Sequence, residues 1–139
     1  MKKIIVLQGP PASGKSTYAK KLHEEDQNNI IVSRDGIRAS RGKYWIPEQE
    51  DWISEVEEFE VRSALKHNLT PIIDATNLNP LFIDKWSQIA SEESAQIKII
   101  QMEVPPFEEA LIRDKNRERP VGPEVILRFY NEYYPHLLS

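Results

Sequence analysis

The stretch Gly9-Pro-Pro-Ala-Ser-Gly-Lys-Ser16 fills every fixed position of the pattern G-x-x-x-x-G-K-[ST], and it lies between an apolar run and a helical pattern. Ile4-Ile-Val-Leu7 reads as a buried parallel strand, and Lys15 to Glu25 reads as a helix whose unpaired first amides and dipole face the intervening turn. Such a turn attracts an anion. Gly9 and Gly14 permit backbone angles that a side chain forbids, so the loop of Gly9, Pro10, Pro11, Ala12, Ser13, Gly14, Lys15, Ser16 and Thr17 is expected to curl around the β-phosphate of a nucleotide. Lys15 then reaches the β- and γ-phosphates, and the Ser16 hydroxyl is placed to bind Mg²⁺.

Outward from this loop, apolar strand-like runs alternate with helical patterns, the signature of an α/β chain with a parallel sheet and helices on both faces. The strands are expected at about Lys3 to Gln8, Ile30 to Val32, Pro71 to Asp74 and Ile97 to Val104, with a turn at Asp26-Gln-Asn-Asn29. A helix from Glu48 to His67 carries Trp52, Val56, Phe59 and Ser63 at helical spacing, which predicts that its acidic residues line the opposite, solvated face. Another begins at Asn79-Pro80, with Pro80 suited to a first turn, and carries Phe82, Ile83, Trp86, Ile89 and Ala90. All three tryptophans are expected in the core.

The chain of 139 residues predicts one domain spanning 1–139. Without cysteine, disulfides and thiolate metal sites are excluded. Met1 to Leu7 has an apolar stretch too short for a signal peptide, nothing approaches a membrane span, and an intracellular, cytoplasmic setting is expected. The net charge of -4 opposes tight nonspecific binding of long nucleic acid. Charge placement says more: Arg34, Arg38, Arg41 and Lys43 cluster, as do Arg113, Lys115, Arg117 and Arg119. Two basic patches on an acidic body suit a small anionic substrate or one chain end.

Ligands of such sheets bind outside the carboxyl ends of the strands, where Gly9 to Ser16, Ser33-Arg34-Asp35 and Asp74-Ala-Thr-Asn77 should converge with the arginine-rich segment. Asp35 is a candidate base for an attacking hydroxyl, and Arg38, three residues on, a candidate fork for an acceptor phosphate. Pro71-Ile-Ile-Asp74 resembles a Walker B strand, whose acid either holds Mg²⁺, directly or through water, or fixes an arginine near the γ-phosphate. Arg113 and Arg117 are expected on one face of a helix starting near Pro106 and stopped by Pro120 and Pro123, forming a lid over the nucleotide. Tyr44 and Trp45 either stack on a nucleobase or, as the favoured reading, fill the core.

Taken together, Gly9 to Thr17, Arg34-Asp35-x-x-Arg38, Asp74-Ala-Thr-Asn-Leu-Asn-Pro80 and Arg113-x-x-x-Arg117 followed by Val121 resemble the 5′-kinase domain of phage-type polynucleotide kinases. The resemblance runs nearly end to end. It implies a P-loop kinase fold with strand order 2-3-1-4 and an arginine-bearing lid. It also implies transfer of the γ-phosphoryl of ATP, with Mg²⁺, to the 5′-hydroxyl of DNA or RNA. In that resemblance Lys15 and Ser16 bind phosphates and Mg²⁺, Asp35 is the general base, Arg34, Arg38 and Asp74 belong to the acceptor side, and Arg117 is the lid arginine. A fused phosphatase, which relatives often carry, is not expected, because no D-x-D-x-[TV] motif is present. A kinase of a nucleoside or other small metabolite is the alternative, and a nucleotide-dependent regulatory ATPase a more distant one.

Overall fold

The computed structural model describes residues 1–42 and 45–138, so Lys43 of the first basic cluster and Tyr44 lie outside the described residues. The chain runs β1 (Lys3–Gln8), α1 (Lys15–Glu25), β2 (Asn29–Ser33), α2 (Arg34–Ser40), α3 (Glu50–Lys66), β3 (Thr70–Asp74), α4 (Pro80–Glu92), β4 (Gln96–Gln101), α5 (Phe107–Lys115) and α6 (Pro123–Tyr133). The four strands are parallel in the order β2-β3-β1-β4, as the resemblance implied.

Ile4, Ile5, Val6 and Leu7 are all buried, as a central strand requires when helices cover both sheet faces. Strand alternation sorts them into two cores. Ile4 and Val6 pack with Val61 and Leu65 of α3 and Trp86 and Ile89 of α4, whereas Ile5 and Leu7 pack with Ala19 of α1. A third cluster joins Ala110 of α5 to Ile126 and Tyr130 of α6. The Tyr130 hydroxyl, buried in it, donates to the Pro105 carbonyl.

Several boundaries and faces differ from expectation. β4 stops at Gln101 rather than Val104, because its last register partner is Gln8 and β1 turns into the loop at Gly9. On α3 the buried stripe is Ile53, Glu57, Val61, Ala64 and Leu65, one residue round from the expected face. Trp52 is 45% exposed and Phe59 71%, while Glu48, Asp51 and Glu55 are exposed as expected. The expected stripe followed aromatic bulk, whereas the branched aliphatics fix the true one and a neutralised Glu57 completes it. Only Trp86 of the three tryptophans is in the core. The Arg41 guanidinium lies over the Trp52 ring at 5.0 Å, and Arg38 over Trp45 at 5.4 Å.

Asn79 caps α4 by accepting from the Leu81 amide, and Pro80 takes the first position, as expected. Asn77 has a different task. Its buried Nδ2 donates to the Leu7 carbonyl at 2.8 Å, its Oδ1 accepts from Trp86 Nε1 at 3.1 Å, and its carbonyl accepts from Gln8 Nε2 at 3.0 Å. Asn77 adopts φ 49°, a left-handed angle that asparagine tolerates better than most residues. Replacing Asn77 by Ala strands the Leu7 carbonyl and the Trp86 indole without partners. We expect a loss of about 2–4 kcal/mol in urea unfolding, against less than about 1 kcal/mol for Asn79→Ser, which keeps a capping oxygen.

Candidate active site

The chemistry-bearing residues follow the carboxyl ends of the strands. They line one cleft of about 1060 Å³ that includes Lys15, Ser16, Asp35, Arg38, Asp74 and Arg117. On the floor, α1 begins at Lys15 with Gly14 before it at φ 89° and no side chain capping its first amides. Those amides are therefore available to an anion. Gly9 is required by close approach: a Cβ there would lie 2.6 Å from Ser13 Oγ and 3.0 Å from the Met102 side chain. Pro11, Ala12, Gly14 and Thr17 also line the cleft, while Gly9, Pro10 and Ser13 are buried behind it.

Lys15 Nζ donates to the Pro10 carbonyl at 2.7 Å, so the loop holds its own cation. The Ser16 hydroxyl donates to Asp74 Oδ2 at 2.8 Å, joining positions 58 residues apart. Burial pushes the Asp74 carboxyl up, against the Ser16 hydrogen bond and the Lys15 charge. Burial likewise lowers Lys15 to about 8, against the attraction of Asp74. Desolvation is the largest influence on both groups and exceeds their mutual attraction.

Among the described residues no group of three or more His, Asp or Glu side chains could hold a metal as a protein cage. The paired oxygens of Ser16 and Asp74 nevertheless fit Mg²⁺, a hard cation that keeps several waters and takes its other ligands from substrate phosphates. Arg117 also acts electrostatically on Asp74, so both roles left open for that acid have a partner in the cleft.

Ser33, at the end of β2, caps α2 by accepting from the Gly36 amide, and this sets Arg34 and Asp35 at the mouth of the cleft. Arg38 Nη1 donates to Asp35 Oδ1 at 2.8 Å. The Nε–Nη2 edge of Arg38 is taken by Glu50, at 2.9 and 2.6 Å. The parallel fork expected for an acceptor phosphate is thus engaged by a carboxylate of α3. That ion pair holds the Glu50 carboxyl below the usual range.

Arg34 turns toward α3, with its side chain 14% exposed. It donates to Glu57 Oε1 at 3.1 Å, Ser54 Oγ at 2.9 Å and Glu50 Oε1 at 3.2 Å. Burial raises the Glu57 carboxyl, and Arg34 opposes that shift. Arg34 lines the cleft as well, and its nitrogens also neutralise a buried acid, a task the sequence did not foretell.

The arginine-rich segment also departs from expectation. α5 ends at Lys115, so Arg113 lies in its last turn and Arg117 in the loop beyond, not on one helical face. The prolines lie further along, and Pro123 opens α6 instead of stopping α5. The loop is closed by the buried Asp114, whose two oxygens accept from the amides of Val121 and Gly122 at 2.9 Å each. Arg117 Nη2 is 3.9 Å from Asp35 Oδ2, and its Nη1 3.4 Å from Asp114 Oδ1. Arg113 pairs with Glu109 and also lines the cleft. Trp45, 53% exposed, lines it too and is not in the core.

The sequence reading missed Glu50, Glu57, Asn77 and Asp114 as organising residues, together with the α6 residues on the far wall. A signal existed for Glu50, since an acid opening a helix shortly after a basic cluster is a natural partner for it. Nothing local distinguished Asp114 from an ordinary helical acid.

Known proteins resemble this chain along most of its length. A polynucleotide kinase/RNA ligase function is ascribed to a protein of Autographa californica nuclear polyhedrosis virus that is 26% identical over 95% of this chain and 21% of its own. A chain of the Pnkp1/Rnl/Hen1 RNA repair complex superposes with a TM-score of 0.81 at 27% identity, over 99% of this chain and 46% of that one. A second structure of the Pnkp1/Rnl/Hen1 complex gives 0.72 at 32% identity, over 81% and 38%. This chain thus spans about a fifth of the viral relative and less than half of the matched chains. A gluconokinase from Sinorhizobium meliloti 1021, 13% identical with a TM-score of 0.63, shares the fold. The family model described as an AAA domain matches residues 4–133, and with its phosphate loop, strand order and kinase neighbours this chain belongs to that family as a P-loop kinase domain.

Proposed function

We propose that this domain transfers the γ-phosphoryl group of ATP to the 5′-hydroxyl end of a nucleic acid. The observation that carries the reading is the meeting of Asp35 with two arginines of opposite provenance. Arg38 is 2.8 Å from one oxygen of its carboxylate, and Arg117 of the lid is 3.9 Å from the other. A hydroxyl hydrogen-bonded to Asp35 would lie between an acceptor-side cation and a donor-side cation, in the cleft that also holds Lys15. The viral relative with a polynucleotide kinase/RNA ligase name and the matched chain of an RNA repair complex support this choice over other kinases of the same fold.

In this scheme the acceptor oxygen attacks the γ-phosphorus in line, its proton passes to Asp35, and the bond to the β-phosphate oxygen breaks to release ADP. Arg38, oriented by Glu50, holds the phosphate on the 3′ side of the reacting nucleotide. Lys15 and Arg117 stabilise the charge of the transferring group. Ser16 and Asp74 would hold Mg²⁺, which would supply charge neutralisation to the bound triphosphate.

Label transfer from ATP, compared across 5′-hydroxyl DNA, 5′-hydroxyl RNA, a nucleoside 3′-phosphate and plain nucleosides, tests the reading directly. Oligonucleotides and the nucleoside 3′-phosphate should be labelled and plain nucleosides poorly. Efficient labelling of a plain nucleoside or a sugar alone would replace this reading with small-metabolite kinase activity.

Asp35→Asn should lower kcat by about 10²–10⁴-fold and Arg117→Ala by about 10³-fold or more, with ATP still bound. Arg34→Ala should instead lower stability by about 3–5 kcal/mol in urea unfolding, because it leaves Glu57 buried and unpaired.

Lys15 adds a pH dependence whose sign follows from its depressed value of about 8. Below that pH it is charged with or without nucleotide, and this group adds no slope. Above it the empty loop has lost the proton, which a triphosphate restores, so ATP affinity weakens as pH rises through about 8. Calorimetry just above that pH in buffers of different ionisation enthalpy should record proton uptake on ATP binding. The Lys15→Arg variant should bind ATP without it.

A further inference from the structure

The cleft has a wall with no part in the scheme above. Helix α6 is two-faced: Ile126 and Tyr130 are buried against α5, while Val125, Arg128 and Phe129 line the cleft together with Val121 just before the helix. Phe82, at the start of α4, lines the same cleft and is 38% exposed. The Phe129 ring is held by stacking on Tyr133 at 6.3 Å and 27°. Arg128 is exposed and forms no ion pair or side-chain hydrogen bond among the described residues. The other cleft arginines are engaged: Arg34 and Arg38 with Glu50, Arg113 with Glu109 and Arg117 with Asp114.

We propose that this wall is the track for the single-stranded segment next to the reacting end, with a nucleobase against Phe82 and Phe129 and the following phosphate on Arg128. The inference rests on the 5′-kinase reading and extends it from one nucleotide to several. Its occupant follows from charge and shape. A flat apolar surface beside an uncompensated cation matches a strand that alternates bases with phosphates. A polyol acceptor would find no hydrogen-bonding partner on Val125, Phe129 or Phe82. Donor phosphates are served from the opposite side, by the loop at Lys15. Base faces are available for such stacking in a single strand and not within a duplex.

Initial rates for a nucleoside 3′-monophosphate, a trinucleotide and a hexanucleotide, each with a 5′-hydroxyl, test the inference in wild type, Arg128→Ala, Arg128→Lys and Phe129→Leu. Wild-type kcat/KM should climb with length. Arg128→Ala should raise KM for the two longer acceptors about tenfold, with no comparable loss for the monophosphate, and should flatten the salt dependence of binding by about 0.7 in log–log slope. Arg128→Lys should restore most of the length advantage. Phe129→Leu, which keeps apolar bulk but not a stacking ring, should reduce it with an unchanged thermal midpoint.

Equal losses on all three acceptors, or a raised KM for ATP, would overturn the assignment. So would a length advantage that survives Arg128→Ala, or a wild type that labels all three acceptors equally. A wild-type protein that labels none of them would bring down the 5′-kinase reading itself.

Discussion

The site depends on a weld between the end of β1 and the loop after β3. The Gly9 amide donates to the Thr76 carbonyl at 3.0 Å, and Asn77 ties the Leu7 carbonyl to the Trp86 indole. These are local devices for a general difficulty: the last backbone groups of a parallel strand face a crevice, and buried groups left without partners destabilise by about 1–3 kcal/mol each. Once they are satisfied within the protein, the loop from Gly9 to Ser16 starts from a fixed point. Asp74 then lies within reach of Ser16, although the two come from distant parts of the chain. The phosphate loop is rigid where it leaves the sheet and open where its amides face the cleft.

The charge arrangement is a second layer on that frame. α3 sends two acids inward, Glu50 and Glu57, and each orients an arginine of α2. Arginine suits both tasks because its planar fork accepts a carboxylate side-on and stays charged when desolvated. The result is a graded series, from Arg34 deep against α3, through Arg38 at the junction, to Arg117 over the mouth. Asp35 is the point at which the last two approach each other. Its carboxylate has Arg38 at 2.8 Å from one oxygen and Arg117 at 3.9 Å from the other.

Much of this was legible from residue order, for reasons that particular positions make plain. The loop pattern, Pro80 at a helix start and the four apolar runs are governed by local rules, and each forms the expected element, with the end of β4 three residues early. The convergence of Lys15, Asp35, Arg38, Asp74 and Arg117 was legible because strand order places their elements side by side. The misreadings share a cause. Whether Trp52 or Ile53 faces inward is decided by which helix packs on which strand, and one residue of rotation moves every side chain of α3. Arg34 could not be recognised as a partner of Glu57 without knowing that Glu57 is buried, at 3% exposed. The end of α5 was misplaced because Asp114, acting through two distant amides, closes the turn before any proline is reached.

The two rims of the sheet differ in character. The amino-end connections are tight: Asn68 and Ser94 turn the chain with left-handed angles of 61° and 54°, and they place no residue on the cleft. Every residue discussed as chemistry hangs from the opposite rim. Such a separation lets the segments around Trp45, Phe82 and Arg128 be rewritten while the buried strands stay untouched. Novelty is confined to one edge, and inheritance to the other.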